Sequence, residues 1–253
     1  MLGSAFGYHR AMDTAGAVLG PVIAVVLLEG GLSFRAILWV SLAVGTLVFV
    51  ALRAVREAPR HTAPVEAAAQ REPLPRAFWL AIAIWTIFSL GNSSDAFLIL
   101  RAKDLGLGAV VVVLAYAVYN LVYASLSWPL GSLSDRVPRA RLLAGGLLVF
   151  GLVYLGLAIA PGGWAVWPLF AVYGIYIAAT DGVARAWVAD ALPGRRGIGT
   201  AYGVFSGATA AAALVASIAA GLLWSHVGPA APFVLGAATA GIALVLLVLF
   251  EAG

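Results

Sequence analysis

The stretch Gly131-Ser-Leu-Ser-Asp135-Arg136-Val-Pro-Arg139-Ala-Arg141 decides the fold, because it places a compact, strongly charged segment between two long apolar runs. Charge this dense is too costly for the hydrocarbon core of a bilayer, so the segment must lie at a membrane surface. Gly131 and Pro138 are typical of a tight turn, which predicts a short connection between two membrane-spanning helices. We call residues 131–141 the charged loop. Its three arginines and one aspartate also suggest that it holds neighbouring helices in one arrangement.

The composition is that of an integral membrane protein. The chain has 253 residues, of which 63% are hydrophobic and 10% are charged, whereas soluble domains carry about 25% charged residues. The net charge of +4 does not indicate nucleic-acid binding, because the arginines lie between apolar runs and not on one face. The composition therefore predicts that most of the chain lies within a lipid bilayer.

Chemistry at a metal or at a nucleophile is not indicated. The chain has no cysteine, which excludes disulfides and thiolate metal sites. Its three histidines are scattered, and the motifs of metalloproteases, α/β-hydrolases and phosphate-binding loops are absent from the sequence. We expect no enzyme activity, no metal and no cofactor.

Eight apolar runs approach the length of about 20 residues that spans a bilayer as a helix. They are continuous, and the alternation of apolar and polar residues that a transmembrane β-barrel needs is missing. The predicted fold class is all-α, a polytopic membrane helix bundle with eight transmembrane helices. The predicted spans are residues 11–28, 36–52, 78–100, 110–130, 142–160, 164–188, 202–224 and 230–250.

Basic residues are distributed unequally between the two sides of these spans. With the N-terminus inside, eleven arginines fall on the inner side and three basic residues on the outer side, and Arg185 lies within a span. The inner set is Arg10, Arg53, Arg56, Arg60, Arg71, Arg76, Arg136, Arg139, Arg141, Arg195 and Arg196, and the outer set is Arg35, Arg101 and Lys103. The positive-inside rule then predicts cytoplasmic termini and a cytoplasmic charged loop. We expect the protein in a bacterial-type cytoplasmic (inner) membrane.

Residues 54–76 are polar, charged and proline-bearing, which is typical of a linker. They separate residues 1–53, with two predicted spans, from residues 77–253, with six. A short internal repeat accounts for this asymmetry: Gly3-Ser-Ala-Phe6-Gly7 and Gly199-Thr-Ala-Tyr202-Gly203 each precede two spans. The first two spans are then counterparts of the last two, and a complete first half would have four more helices ahead of Met1.

The charged loop resembles the signature of the major facilitator superfamily of transporters, Gly-x-x-x-Asp-Arg-x-Gly-Arg-Arg. Four residues match it in register: Gly131, Asp135, Arg136 and Arg139. Pro138 and Ala140 depart from it, and Arg141 can replace the missing base. The stretch Gly16-Ala-Val-Leu-Gly20-Pro21 resembles the family's fifth-helix motif, although Ala24 and Val25 stand in place of its last two glycines.

The resemblance implies a fold and a function. The family has two six-helix halves joined by a cytoplasmic linker, and this chain corresponds to helices five to twelve. Its implied role is secondary active transport of a small solute by alternating access. The fifth-helix motif, which is associated with exporters, favours proton-coupled efflux. The expected partners are the lipid bilayer, a small-molecule substrate and protons.

In the family, the aspartate of the charged loop contacts a helix of the opposite half. The corresponding partner here is the first span, where Arg10 lies at the cytoplasmic end. The resemblance therefore implies a contact between Asp135 and Arg10. The alternative is that the arginines of the loop only enforce topology. Arg10 and Asp13 are also spaced to form a local ion pair.

Several polar residues inside the spans are candidates for a substrate or proton cavity. Asp181 and Arg185 are four residues apart and can pair, so Asp181 either binds a proton or a cationic substrate group, or belongs to a structural pair. Asn92 and Asp95 interrupt the third span and either contact substrate or mark an early helix end. Further polar tips that can face a cavity, or only pack, are those of Tyr116, Tyr119, Asn120, Tyr173 and Tyr176.

A second class of function stays open at this point. The protein can be a non-transporting membrane scaffold or partner subunit, or a transporter fragment that is inactive alone. A full-length member of the family is expected to be a monomer, whereas a natural truncation can form oligomers through its unpaired face.

Overall fold

A computed structural model gives the structure of the chain, which is described for residues 2–54, 74–192 and 198–252. The described residues form helices and contain no strand. The helices are α1 (Leu2–Glu29), α2 (Phe34–Ala54), α3 (Arg76–Ser89), α4 (Ala96–Asp104), α5 (Ala109–Leu133), α6 (Arg139–Ile159), α7 (Val166–Asp190), α8 (Ile198–His226) and α9 (Ala231–Ala252). The predicted all-α polytopic fold is confirmed.

Seven of the described helices are long and apolar enough to cross a membrane, and α3 and α4 are too short. The predicted third span, residues 78–100, is therefore wrong as one continuous helix: α3 ends at Ser89 and α4 begins at Ala96. Gly91 lies in the break against α9, where a Cβ would come 2.9 Å from the Cα of Gly236. The polar residues that follow Gly91 find hydrogen-bond partners on other helices, so the backbone need not stay helical.

By packing, the chain divides into two compact units, residues 1–19 with 74–253 and residues 20–73. In the second unit, α2 is an apolar helix of 21 residues. The division into residues 1–53, 54–76 and 77–253 stays a prediction, and residues 55–73 of the predicted linker lie outside the described residues.

Small residues let the helices of the larger unit approach closely. A Cβ on Gly174 of α7 would lie 2.5 Å from the carbonyl oxygen of Tyr119 on α5. On α6, Gly146 leaves room for the Thr180 methyl group of α7 in the same way. Fully buried aromatic rings fill the remaining space, among them Phe88, Phe150, Tyr154, Phe170 and Phe233.

Arg101 belongs to α4 and is buried, although the sequence places it in an outer loop. Its guanidinium donates to the carbonyl oxygens of Leu157 and Ala158 at 3.0 and 3.2 Å and pairs with Asp104. These carbonyls lie in the last turn of α6, where the carbonyl oxygens of a helix receive no hydrogen bond from its own N–H groups. Arg101 thus caps α6 and fixes α4 beside the helix break.

Candidate functional site

Asp135 joins the charged loop to the first turn of α1. Its carboxylate accepts hydrogen bonds from the backbone N–H groups of Gly3 and Ser4, at 3.1 and 3.0 Å. First-turn amides of a helix have no intrahelical acceptor, so an anion is favoured there. Arg139 donates to the same carboxylate at 2.8 Å and also pairs with Asp190 at the end of α7. One cluster thereby holds α1, α6 and α7 together.

Glycine allows the helices to touch at this point. Gly131 of α5 lies against Gly3 and Gly7 of α1 so closely that a Cβ on any of the three would collide with the opposite backbone. The hydroxyl of Ser132 donates to that of Ser4 at 3.4 Å. The first residue of the signature therefore acts through its lack of a side chain.

Burial by itself raises the pKa of the Asp135 carboxyl, but three donors oppose it. The N–H groups of Ser4 and Gly3 and the Arg139 guanidinium lower the pKa, and the result lies below the ordinary value of 3.8. The carboxylate is therefore charged at neutral pH, and its contacts with α1 are present there.

The implied contact between Asp135 and Arg10 is not formed. Arg10 lies two helical turns beyond Gly3, about 10 Å further along α1, and its guanidinium pairs with Asp13 and Asp181 at 3.2 and 2.8 Å. The expected docking of the loop on the first span does occur, but through backbone amides. Arg136 and Arg141 are exposed, and neither forms an ion pair with another described residue.

A cavity of about 540 Å³ opens between α1, α3, α5, α7 and α8. Its charged lining consists of Arg10, Asp181 and Arg185, and Asn92 adds an amide. Its aromatic lining consists of Trp85, Phe88, Tyr119, Tyr123, Tyr176 and Phe205. Polar and charged groups set among aromatic rings can hold a small organic molecule.

Asp181 is held by groups from two other helices. It pairs with Arg10 of α1 and accepts a hydrogen bond from the Tyr123 hydroxyl of α5 at 2.7 Å. The predicted pair between Asp181 and Arg185 is not formed, and Arg10 pairs with the carboxylate instead. Arg185 lines the cavity one turn further on and has no ion-pair partner within the described ranges. The predicted pair of Arg10 and Asp13 is confirmed.

Asp95 lies at the helix break, just before α4, and is surrounded by tyrosines. The hydroxyls of Tyr119 and Tyr173 donate to its two oxygens at 3.1 and 3.0 Å. Asn92, on the other side of the break, donates to the Tyr176 hydroxyl at 3.2 Å and lines the cavity. Asn92 and Asp95 therefore form hydrogen bonds with other helices, in addition to marking the end of α3 and the start of α4.

Three predicted cavity residues, Asp95, Asn120 and Tyr173, do not line the cavity. Asn120 is buried and donates to the Tyr116 carbonyl of its own helix at 2.9 Å, which a short amide within a helix readily does. Tyr173 is also buried, behind the wall, where it contacts Asp95. The ring of Tyr116 packs on that of Tyr119, with centroids 5.1 Å apart.

Residues of the resembled fifth-helix motif lie in α1, which runs through Gly16, Gly20 and Pro21. A Cβ on either glycine would have no described atom within 4 Å. The association of this motif with export therefore stays a prediction.

Sequence reasoning missed Tyr123 and the pairing of Asp190 with Arg139. A single tyrosine in an apolar run is as often packing as function, but Tyr119 and Tyr123 are spaced to share a helix face, and that signal was available. From the sequence, Asp190 is either a loop charge or a partner of Arg195 and Arg196, a prediction that stays open because both arginines lie outside the described residues. Among the residues that the structure describes, no group of three potential ligands is arranged to hold a metal ion.

Comparison with known proteins gives a family. The chain matches the family model of the Major Facilitator Superfamily over residues 1–197 and 91–252. It is 35% identical to an uncharacterized MFS-type transporter of Methanocaldococcus jannaschii over 254 aligned residues. This alignment covers 97% of this chain and 63% of the relative. It is also 30% identical to the puromycin resistance protein of Streptomyces alboniger over 169 residues. That alignment covers 64% of this chain and 33% of the relative. The chain thus spans less than two thirds of the length of either relative.

Proposed function

We propose that this chain, which belongs to the major facilitator superfamily, carries out proton-coupled efflux of a small organic solute across the membrane. The family is one of transporters, so the coarse assignment as an integral membrane transporter protein follows from membership. Direction, coupling ion, substrate class and alternating access are the parts that we propose. The cavity between α1, α3, α5, α7 and α8 is the observation that carries the proposal.

The cavity fits an organic solute with a flat apolar portion. Trp85, Phe88 and Phe205 offer ring surface, and rings stack on such surfaces with favourable geometry. The charged groups can orient a polar end of the solute. Two basic groups, Arg10 and Arg185, outnumber the single carboxylate of Asp181 in the lining. Because Arg10 and Asp181 pair with each other, the lining favours solutes that carry strongly hydrogen-bonding groups.

Efflux is supported by two observations outside the cavity. One relative is named for puromycin resistance, and removal of a toxic compound from the cell is a direct way to resist it. The stretch from Gly16 to Pro21 resembles a motif associated with exporters. Antiport with protons is supported by Asp95 and Asp181, since carboxylates within membrane-spanning regions are expensive and mark ion or proton pathways.

Alternating access needs a contact that can break and reform. The cluster of Asp135, Arg139 and the first-turn amides of α1 lies at the membrane surface, where water can replace each lost hydrogen bond. Its opening also separates the glycine contact of Gly3 and Gly7 with Gly131, which has no interlocked side chains to pull apart.

The experiment compares puromycin accumulation in cells that express this chain and in cells that carry the empty vector. We expect lower accumulation in the expressing cells and equal accumulation after a protonophore collapses the proton gradient. A panel of aromatic organic acids and bases, tested in the same way, then defines the substrate class. Equal accumulation of every compound in both strains, with the chain present in the membrane, would favour the non-transporting alternative, a scaffold or partner subunit.

A further inference from the structure

We propose that Asp95 is the group that takes up and releases the coupling proton, and that Asp181 is a fixed charge held by Arg10. This assignment rests on the proposed proton-coupled transport. It reverses the order expected from the sequence, in which Asp181 was the leading proton site.

The first step is the position of the carboxylate. Asp95 occupies the N-cap position of α4, where an aspartate usually accepts hydrogen bonds from the amides of the first turn. Here its side chain makes no such bond. It accepts instead from Tyr119 of α5 and Tyr173 of α7, so the carboxylate serves the contact between helices and does not serve as a cap.

The second step is the absence of a permanent charge beside it. The titratable groups that face Asp95 are hydroxyls on three helices: Tyr116 and Tyr119 of α5, Tyr154 of α6, and Tyr173 and Tyr176 of α7. Near the break, α8 and α9 contribute Ser217 and Gly236, which do not titrate. Within the described residues no cation pairs with Asp95, and Arg101 of α4 is engaged by Asp104 and two carbonyls of α6.

The third step is that both protonation states can be satisfied without repacking. The charged carboxylate accepts one hydroxyl hydrogen on each oxygen. When a proton from water binds one oxygen, that oxygen becomes a donor, and the facing tyrosine hydroxyl can rotate to accept, because a tyrosine hydroxyl both donates and accepts. Tyr119 also lines the cavity, so one side chain connects the proton site with the space proposed for the solute.

A sodium ion is a poorer occupant of this site. Hard metal cations need several oxygen lone pairs directed at one point. The oxygens that face Asp95 belong to neutral tyrosine hydroxyls, and no group of three potential ligands is arranged to hold a metal ion among the described residues.

Asp181 has the opposite surroundings. The Arg10 guanidinium lies 2.8 Å from its carboxylate, and the Tyr123 hydroxyl donates to it at 2.7 Å. A proton on Asp181 would leave Arg10 with only its exposed partner, Asp13. The carboxylate is therefore suited to hold α1 against α7 and to orient solute.

Infrared spectroscopy of the purified protein during a pH titration tests the assignment without a substrate. We expect a carboxylic-acid band that titrates in the wild type, is lost in Asp95→Asn and is retained in Asp181→Asn. Loss of one donor in Tyr119→Phe should move its midpoint upward by about one pH unit, the size of one charge-assisted hydrogen bond. Tyr116→Phe, which removes no hydrogen bond to Asp95, is the matched control and should leave the midpoint in place. If the difference between the wild-type and Asp95→Asn spectra, in correctly folded protein, contains no titrating carboxylic-acid band, the proposal is overturned.

A flux measurement separates this proposal from the one on which it rests. If wild-type protein moves puromycin in response to a pH gradient and Asp95→Asn does not, while the variant still exchanges puromycin without a gradient, both proposals hold. Gradient-driven flux that persists in Asp95→Asn contradicts the proton assignment alone. An absence of gradient-driven flux in the wild type contradicts the proposed function.

Discussion

Asp135 and Asp95 accept hydrogen bonds from different kinds of donor, and this difference suits the two carboxylates to different roles. Asp135 accepts from two backbone amides and a guanidinium, groups that favour the charged form. Asp95 accepts only from hydroxyls, which can serve the neutral form equally well. A carboxylate of the first kind suits a structural contact, and one of the second kind suits proton exchange.

A cysteine cross-link measures the contact that Asp135 makes with α1. The chain has no cysteine, and the hydroxyls of Ser4 and Ser132 are 3.4 Å apart, so Ser4→Cys with Ser132→Cys should form a disulfide on oxidation. Adding Asp135→Asn removes charge-assisted hydrogen bonds worth about 1.5 kcal/mol, so we expect cross-linking to slow roughly tenfold. Unchanged kinetics would contradict the role of Asp135, and the Asp104→Asn variant is the control for loss of an acidic charge elsewhere.

The same contact has a predicted pH dependence. Because the pKa of Asp135 is lowered from 3.8 in the folded protein, its stabilisation is fully present above the unfolded pKa and is lost as pH falls through the folded pKa. Spin labels at the exposed positions Tyr8 and Arg136 should therefore report a constant distance from neutral pH to about pH 5, with separation only below 3.8. Separation that begins near pH 6 would assign the contact to a different group.

At the scale of helices, Gly174 tests the close contact between α5 and α7. A Cβ there would meet the Tyr119 carbonyl, whereas a Cβ on Gly145 of α6 meets nothing within 4 Å. Glycine to alanine gains up to about 1 kcal/mol in helix propensity at both positions, and overpacking costs about 1–3 kcal/mol at Gly174 alone. We expect Gly174→Ala to lower the thermal unfolding midpoint in detergent and Gly145→Ala to leave it equal or higher. Equal midpoints in the two variants would show that α5 and α7 are further apart.

The helices also show what sequence can and cannot predict here. Apolar runs of span length and the charged loop predict the spans well, because bilayer thickness and the cost of buried charge act locally. The break between α3 and α4 was only partly foreseen, since its position depends on contacts from Gly91 to α9 and from Asp95 to Tyr173, 78 residues away. The prediction of the ion pair of Asp181 failed for the same reason. Arg185 is the nearest basic residue along the same helix, but the carboxylate pairs with Arg10 of α1.

At the scale of the whole molecule, orientation is the first property to measure. The positive-inside rule predicts that the charged loop and both termini face the cytoplasm. In the cysteine-free chain, Arg141→Cys should react with a membrane-impermeant thiol reagent only after the cells are opened, whereas Trp164→Cys, which is exposed between α6 and α7, should react in intact cells. The reverse labelling pattern would invert the topology.

Proton-driven movement of a solute by the whole molecule is the central claim, and inside-out membrane vesicles test it most directly. With puromycin outside and an imposed acid interior, an antiporter exchanges the protons for solute. We expect puromycin to accumulate transiently above its equilibrium level in vesicles that contain the chain, to leave when a protonophore is added, and not to accumulate with Asp95→Asn. Puromycin uptake equal to that of vesicles without the chain, at any imposed gradient, would contradict the account.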